Sequence, residues 1–517
     1  MIPRATARER APPSVHDGTA DLAGTVVHLF VIPANAGIHL WACITMDSRF
    51  SGNDEHLSGC TIRAEHHRGM RHYHASWVLP VTSAPVPGGT VIEHGGRIVY
   101  VGPRRPAADP EDDVDLGAAL LMPGLVNAHC HLELTAMRGF LDGLSFREWI
   151  LRLTMSRRAV LTPGMLLDSA RLGVVEGLLH GVTTFADTGD TGAGFDAMLE
   201  SGVRGICYRE VFGPDPAQCA ESLADLERSA FTMRERETAL VRVGVSPHAP
   251  YTVSDDLFRA TATFAREHGF PLAVHIAESA VETALVVHAN GAFADGLRAR
   301  GFTVEPRGRT PIGLLESLGV LDVKPLLIHC VQVDSADIAT IASHDAAVAH
   351  CPASNAKLGH GTAPLSALRR AGIRVGLGTD SVASNDRMDL LDEARVATLF
   401  ANASEARHDA LSARDAFALA TIGGARALGI DREVGSLEVG KAADLAAFRV
   451  PDHRAPLHDP IASAIYALAG VPALLVTVAG VEKVREGRLI HADAGLSQRV
   501  QQCAGLLQAW LASMNTR

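Results

Sequence analysis

The chain has 517 residues, of which 47% are hydrophobic and 20% charged, and a formal net charge of −11. That length suits one large barrel plus an accessory domain. The acidic balance argues against a nucleic-acid backbone or an anionic membrane as main partner.

Residues 1–69 differ from the rest. The apolar stretch 24–45 is broken by Pro33 and Gly37, and acids stand before it beside Arg4, Arg8 and Arg10. A secretory signal fits poorly. The run Val31-Ile-Pro-Ala-Asn-Ala-Gly-Ile-His39, with Met46 to Glu55 after it, resembles the translation of a dispersed bacterial intergenic repeat. Segment 1–69 is therefore expected to be a disordered extension or the product of a start assigned too early, with the protein proper beginning near Met70.

From Met70 to Met122 the sequence predicts short strands and turns. Thr90-Val-Ile-Glu, then Gly95-Gly96, then Arg97 to Gly102 is a hairpin signal. A matching pattern returns at Gly435–Phe448, Leu474–Val478 and Arg485–Ile490. The expected accessory domain is a small composite β-sandwich drawn from 70–124 and 433–495. Between these flanks, eight apolar runs predict strands near 125–131, 181–187, 204–211, 242–248, 272–278, 325–331, 346–351 and 374–380. Helical segments such as 164–180, 254–269 and 388–400 follow strands. Alternation of this kind, with no Gly-x-Gly-x-x-Gly after the first strand, predicts an α/β fold with a (β/α)8 TIM barrel over 125–432. Apolar residues at helical spacing from Leu496 to Trp510 predict a closing helix in 496–517.

Five ligand-type residues stand at strand ends: His129, His131, His275, His329 and Asp380. His129 and His131 are two apart, so a strand turns both to one face. A chain with 24 histidines is expected to hold a His-x-His pair by chance, and His72/His74 is assigned no role. What distinguishes His129/His131 is the turn and apolar strand before them. In a barrel, residues at strand C-terminal ends share one mouth, and a His/carboxylate set there can hold a divalent metal with an open position for water. Glu278 stands three residues after His275 and reaches that mouth only if the chain turns there.

The motifs Pro123-Gly-Leu-Val-Asn-Ala-His-Cys-His131, Leu144-Ser-Phe-Arg-Glu-Trp149, Ser246-Pro-His-Ala-Pro-Tyr251, His275-x-x-Glu278, His329-Cys330, Pro352-Ala-Ser-Asn-Ala-Lys-Leu-Gly359 and Gly378-Thr-Asp-Ser381 resemble the amidohydrolase superfamily over about residues 75–495. The resemblance is to the branch of S-adenosylhomocysteine/methylthioadenosine deaminases, cytosine and guanine deaminases and triazine chlorohydrolases. Asn127 to Leu134 is also similar to aminodeoxyfutalosine deaminases. This resemblance implies one divalent metal, because His248 stands where two-metal members have a bridging lysine. It implies His129, His131, His275 and Asp380 as ligands, with zinc expected and iron or manganese compatible. It further implies that His329 bonds the water on the metal, and that Glu278 relays a proton to the ring nitrogen under attack, exchanging it with Asp380. His248, Arg209 and Trp149 would contact substrate. One departure stands out: relatives carry a ribose-binding glutamate where Arg158 falls here.

Hydrolytic deamination of an adenine-type nucleoside is the reaction expected. A chlorohydrolase or other aromatic-ring hydrolase on the same site is the alternative, and a non-catalytic barrel scaffold the alternative of another class. The Cys/His zinc deaminases have His-x-Glu with Pro-Cys-x-x-Cys; His131-Leu-Glu133 matches the first half, but the second is missing. The expected partner is a small-molecule substrate, with no nucleic acid and no membrane, and a homo-oligomer is compatible. Eight cysteines, at 43, 60, 130, 207, 219, 330, 351 and 503, form no Cys-x-x-Cys, which fits a reducing cytoplasmic setting. A chain started at Met70 is expected to express, bind metal and turn over like the full chain; an insoluble or metal-free product would refute the early-start reading.

Overall fold

The structure, a computed structural model, describes residues 69–515 and four two-residue strands before them. These are Asp21–Leu22 paired with Thr25–Val26, and His28–Leu29 paired with Ala42–Cys43. The expectation for the rest of segment 1–69 lies outside the described residues. The chain divides into two compact units, 1–63 and 64–517, and everything below concerns the second.

Eight parallel strands carry the α/β part: β1 (Leu125–His131), β2 (Val182–Gly189), β3 (Arg204–Val211), β4 (Val241–Pro247), β5 (Ala273–Ile276), β6 (Leu326–His329), β7 (Ala347–His350) and β8 (Arg374–Leu377). They pair in sequence order as β1 to β4 and as β5 to β8. A parallel bridge between Val245 and Leu272 joins the two sets. At the other side the two-residue strand Asp380–Ser381, just past β8, pairs with β1 through Cys130–Asp380 and His131–Ser381. The strands are nearly all buried residues, as sheets covered on both faces require. One face of each packs inward, with Ile206, Tyr208, Ile328 and Ala349 in one cluster. The other packs against helices, with Phe185, Val243 and Val274 in the larger core.

Helices fall where the period predicted them, with ends set by local chemistry. Pro163–Leu179 starts on Thr162, whose hydroxyl accepts from the Met165 N–H, with proline in the first turn. Asp255–His268 starts on Ser254 and stops at Gly269 in the left-handed region. The C-terminal helix runs Leu496–Asn515.

Strands from both flanks of the barrel segment belong to one nine-stranded sheet. Ala119–Pro123 pairs antiparallel with Leu445–Arg449 and parallel with Arg71–Val78, which in turn pairs with Val86–His94. The hairpin turns at Gly95-Gly96 into Arg97–Pro103. His74, in the His-x-His pair assigned no role, is fully buried and satisfied: one ring nitrogen lies 2.8 Å from Thr90 Oγ1 and the other 2.8 Å from Asp113.

The sheet is tied to the barrel by a buried ion pair. Arg204, at the start of β3, donates to both carboxylate oxygens of Asp444 at 2.9 and 3.2 Å. Asp444 also accepts from the Ala479 N–H at 2.7 Å. Removing the arginine strands a buried carboxylate, which typically costs about 3–5 kcal/mol. Arg204→Leu is therefore expected to lower the thermal midpoint by several degrees, read by calorimetry; an unchanged midpoint would show that the pair contributes nothing.

Candidate active site

His131, His275, His329 and Asp380 line one cavity of about 810 Å³, and His129 is buried behind His131. His129 and His131 leave the end of β1 with ring centroids 4.8 Å apart. His129 Nε2 lies 3.2 Å from Asp380 Oδ1, and His131 Nε2 lies 3.2 Å from His275 Nε2 and 3.5 Å from Asp380 Oδ1. The ligand atoms of His129, His131 and Asp380 sit within 4.8 Å of one another, as do those of His129, His275 and His329.

Local backbone makes this approach feasible. Strand β5 ends at Ile276, and Ala277 takes φ 52°, which turns Glu278 into the cavity instead of away from it. His329 and Asp380 also lie in the left-handed region, at φ 77° and 57°. Non-glycine residues there are strained and cluster at functional sites. Gly378 is required by contact: a Cβ on it would stand 2.8 Å from the His129 nitrogen and 2.9 Å from the His129 Cβ.

The electrostatics suit a cation. Burial pushes the His129 and His275 imidazoles down, and His131 to about 3. Neutral imidazole is the form with a lone pair to donate. Burial alone would raise the Asp380 carboxyl, but His129, by hydrogen bond and charge, together with His329 and His131 holds it well below the usual range. The Ser354 and Ser384 hydroxyls donate to its Oδ2 at 2.5 and 2.9 Å. His129 Nδ1 is buried with no hydrogen-bond partner among the described residues. Three neutral imidazoles and an ionised carboxylate, converging within bonding reach, form a set able to hold a divalent ion.

Glu278 is buried beside this set. Its carboxylate lies 3.2 Å from His360 Nε2 and 3.6 Å from His329 Nε2. Burial raises it, yet His329 and His360 outweigh burial and hold it below its ordinary value. His329 Nδ1 lies 2.9 Å from Asn355 Oδ1 and donates to it, which turns its Nε2 edge toward Glu278. Glu282 anchors the turn by accepting from the Ala277 and Glu278 N–H groups at 2.8 and 2.9 Å. Burial pushes its own carboxyl to about 8.

His248 and Trp149 line the cavity. His248 Nδ1 is 2.7 Å from Thr252 Oγ1, and burial lowers the ring to about 4. Trp149 sits on the helix Phe146–Val160, its ring 6.4 Å from Phe146. Arg158, on the same helix, also lines the cavity. Arg209 is not brought there. It borders a second cavity of about 460 Å³ and donates to Ser229 Oγ at 2.7 Å. Its neighbour on β3, Glu210, faces the main cavity instead.

Sequence reasoning missed several cavity residues. Glu133 donates nothing to the metal set; it pairs with Arg157 at 2.5 Å, and Arg157 also pairs with Asp190. Burial pushes Glu133 to about 6 against the pull of Arg157. His360, Ser354 and Asn355 lie in or next to the motif Pro352–Gly359, whose roles only the fold reveals. Glu210 had a usable signal: strand alternation puts it with Ile206 and Tyr208, opposite Cys207 and Arg209.

Residues 120–481 match the amidohydrolase family. The chain belongs to that family. It is 34% identical over 428 residues to a 5-methylthioadenosine/S-adenosylhomocysteine deaminase of Symbiobacterium thermophilum, covering 80% of this chain and 92% of the relative. It is 31% identical over 408 residues to a 5'-deoxyadenosine deaminase of Methanothermobacter thermautotrophicus, covering 78% and 90%. Among solved structures it resembles a zinc-bound adenosine deaminase from Xanthomonas campestris, with TM-score 0.74, 30% identity and coverage of 85% and 98%. A zinc complex of atrazine chlorohydrolase from Arthrobacter aurescens gives TM-score 0.73 at 26% identity, covering 84% and 99%. The chain is thus an amidohydrolase-family hydrolase with a TIM-barrel α/β fold. No helix of the described residues is long and apolar enough to cross a membrane.

Partners that orient a metal ligand usually change affinity about 10–100-fold when removed. Ser354→Ala is expected to weaken divalent-metal binding on that scale, read by chelator competition with added zinc as the probe, with an unchanged circular dichroism spectrum. Wild-type affinity in the variant would show that the Ser354 hydroxyl does not orient Asp380.

Proposed function

We propose that this amidohydrolase removes the exocyclic amine of an adenine-type nucleoside by hydrolysis. The observation that carries the reading is Glu278, a buried carboxylate beside His329 and His360, opening on the same cavity as the His/His/His/Asp set. The names of the relatives support the substrate class.

In this reading His129, His131, His275 and Asp380 hold one divalent ion, zinc first among the candidates. When bound, such an ion supplies an activated water at neutral pH. The remaining work falls to side chains. Glu278 moves a proton to the ring nitrogen that gains electron density, and a proton must later reach the leaving amine. Asp380, whose Oδ2 is occupied by two serine hydroxyls, keeps Oδ1 for the cation and for that proton. His329, held at Nδ1 by Asn355, presents its Nε2 edge to Glu278 and the cavity. His248 and Trp149 contact the base. Arg209 joins only if a long substrate reaches the second cavity, which shares Asp225 with the first.

The same reading takes the eight strands as one closed barrel, supported by the Val245–Leu272 bridge and the Cys130–Asp380 pair. It takes 70–124 and 433–495 as one composite domain, supported by the Ala119–Pro123 to Leu445–Arg449 pairing. A cytoplasmic setting agrees with the free thiols of Cys130, Cys207, Cys219, Cys330, Cys351 and Cys503.

Two variants separate ligand from proton carrier. His131→Ala is expected to lose metal and activity together. Glu278→Gln is expected to keep its metal while turnover falls at least ~10²-fold, the scale of a lost general acid–base group. Metal analysis and ammonia release on 5'-deoxyadenosine, adenosine and a triazine are measured on the same preparations. Chloride release from the triazine without ammonia from any nucleoside would replace deamination by the chlorohydrolase reading; inertness of the metal-loaded wild type towards all three would refute both.

A further inference from the structure

We propose that Glu210 determines specificity by accepting a hydrogen bond from a secondary sugar hydroxyl of the nucleoside; this rests on the deaminase reading above. The side chain of Glu210 is 6% exposed, yet it lines the main cavity. Its Oε1 has no hydrogen-bond partner among the described residues. Buried acceptors are nearly always satisfied, and an exception in a cavity points to a missing partner. His275 Nδ1 does not fill that role: it is 3.8 Å away and already lies 3.3 Å from the His248 carbonyl oxygen, so a donor on the substrate is the partner that completes Oε1.

The chemistry of an adenine nucleoside narrows the donor. Its hydrogen-bond donors are the exocyclic amine and the sugar hydroxyls. The amine is the leaving group and belongs beside Glu278 and the ligand set. Glu210 stands elsewhere: His275 turns its Nε2 edge to His131 and its Nδ1 edge to Glu210. The hydroxyls are the donors that remain. Beside Glu210, Arg157 is committed to Glu133 and Asp190, so no cation pairs with Glu210.

The test compares 5'-deoxyadenosine with the analogue lacking both secondary hydroxyls, using metal-loaded full-length protein. A site built to bond a hydroxyl strongly rejects the analogue without it, so the wild type should prefer 5'-deoxyadenosine by at least ~10²-fold in kcat/KM. In Glu210→Ala that preference should fall below ~10-fold, mainly through KM, with metal content at one per chain. Glu210→Gln, which keeps the size of the side chain and an acceptor oxygen, guards against a folding defect and should retain most of the wild-type preference. Equal losses on both substrates, or a wild type indifferent to the hydroxyls, would overturn the proposal while leaving the deaminase reading intact. Loss of metal from either variant, or two metals per wild-type chain, would make Glu210 part of a metal site instead. If the wild type releases ammonia from neither nucleoside, the deaminase reading fails and this inference falls with it.

Discussion

The parallel pairing of Cys130 with Asp380 joins the first barrel strand to the segment after the last, across 250 positions of sequence, and the ligand set depends on it. With that pair formed, His129 and His131 meet Asp380 at 3.2 and 3.5 Å. Strand β5, carrying His275, comes to the same mouth because parallel strands share one direction. Gly378 permits the approach, since any Cβ there would collide with His129. The left-handed conformations of Ala277, His329 and Asp380 are the local cost of turning side chains inward at strand ends. Dense packing of helices around the strands holds them in place.

The same enclosure sets the charge state of every group in the cavity. Burial disfavours charge, so the His129, His131, His248 and His275 imidazoles stay neutral and Glu282 and Glu133 rise to about 8 and 6. Carboxylates with specific partners resist: Asp380 through His129 and its other histidine neighbours, Glu278 through His329 and His360, Asp190 through Arg157. The carboxyls thus divide into two kinds. Two, Asp380 and Glu278, are held low within or beside the histidine cluster. Others, Glu282 among them, act as anchors for backbone N–H groups. Such pairs of titratable groups with opposed environments are a hallmark of acid–base chemistry.

Stability to offset this buried charge comes from elsewhere in the fold. The apolar layer between strands and helices supplies it, with Phe185, Phe195, Phe258 and Phe417 wholly enclosed. Arg204 and Asp444 fasten the mixed sheet to the barrel. His74 shows the contrast between structural and functional histidine: both its ring nitrogens are satisfied within the sheet, whereas His129 keeps one buried nitrogen free.

Local order determined what was legible in the chain. Apolar runs at strand length mark His129, His131, His275, His329 and Asp380 at their ends, because parallel strands share one direction, whereas Glu278 depends on the turn at Ala277. Period and capping placed the helices to within a few residues. Hidden from the sequence were contacts between residues far apart: Ser354 on Asp380, His360 on Glu278, and the Glu133–Arg157–Asp190 cluster. Arg209 and Glu210 show the boundary most clearly. They are neighbours on one strand, and alternation says only that they face opposite ways. Which of the two faces the cavity depends on how the strand is rotated in the sheet, a choice made by the packing of Ile206 and Tyr208 inward and Cys207 toward the helices. Sequence pattern names the residue types at strand ends; only tertiary packing selects the face from which they act.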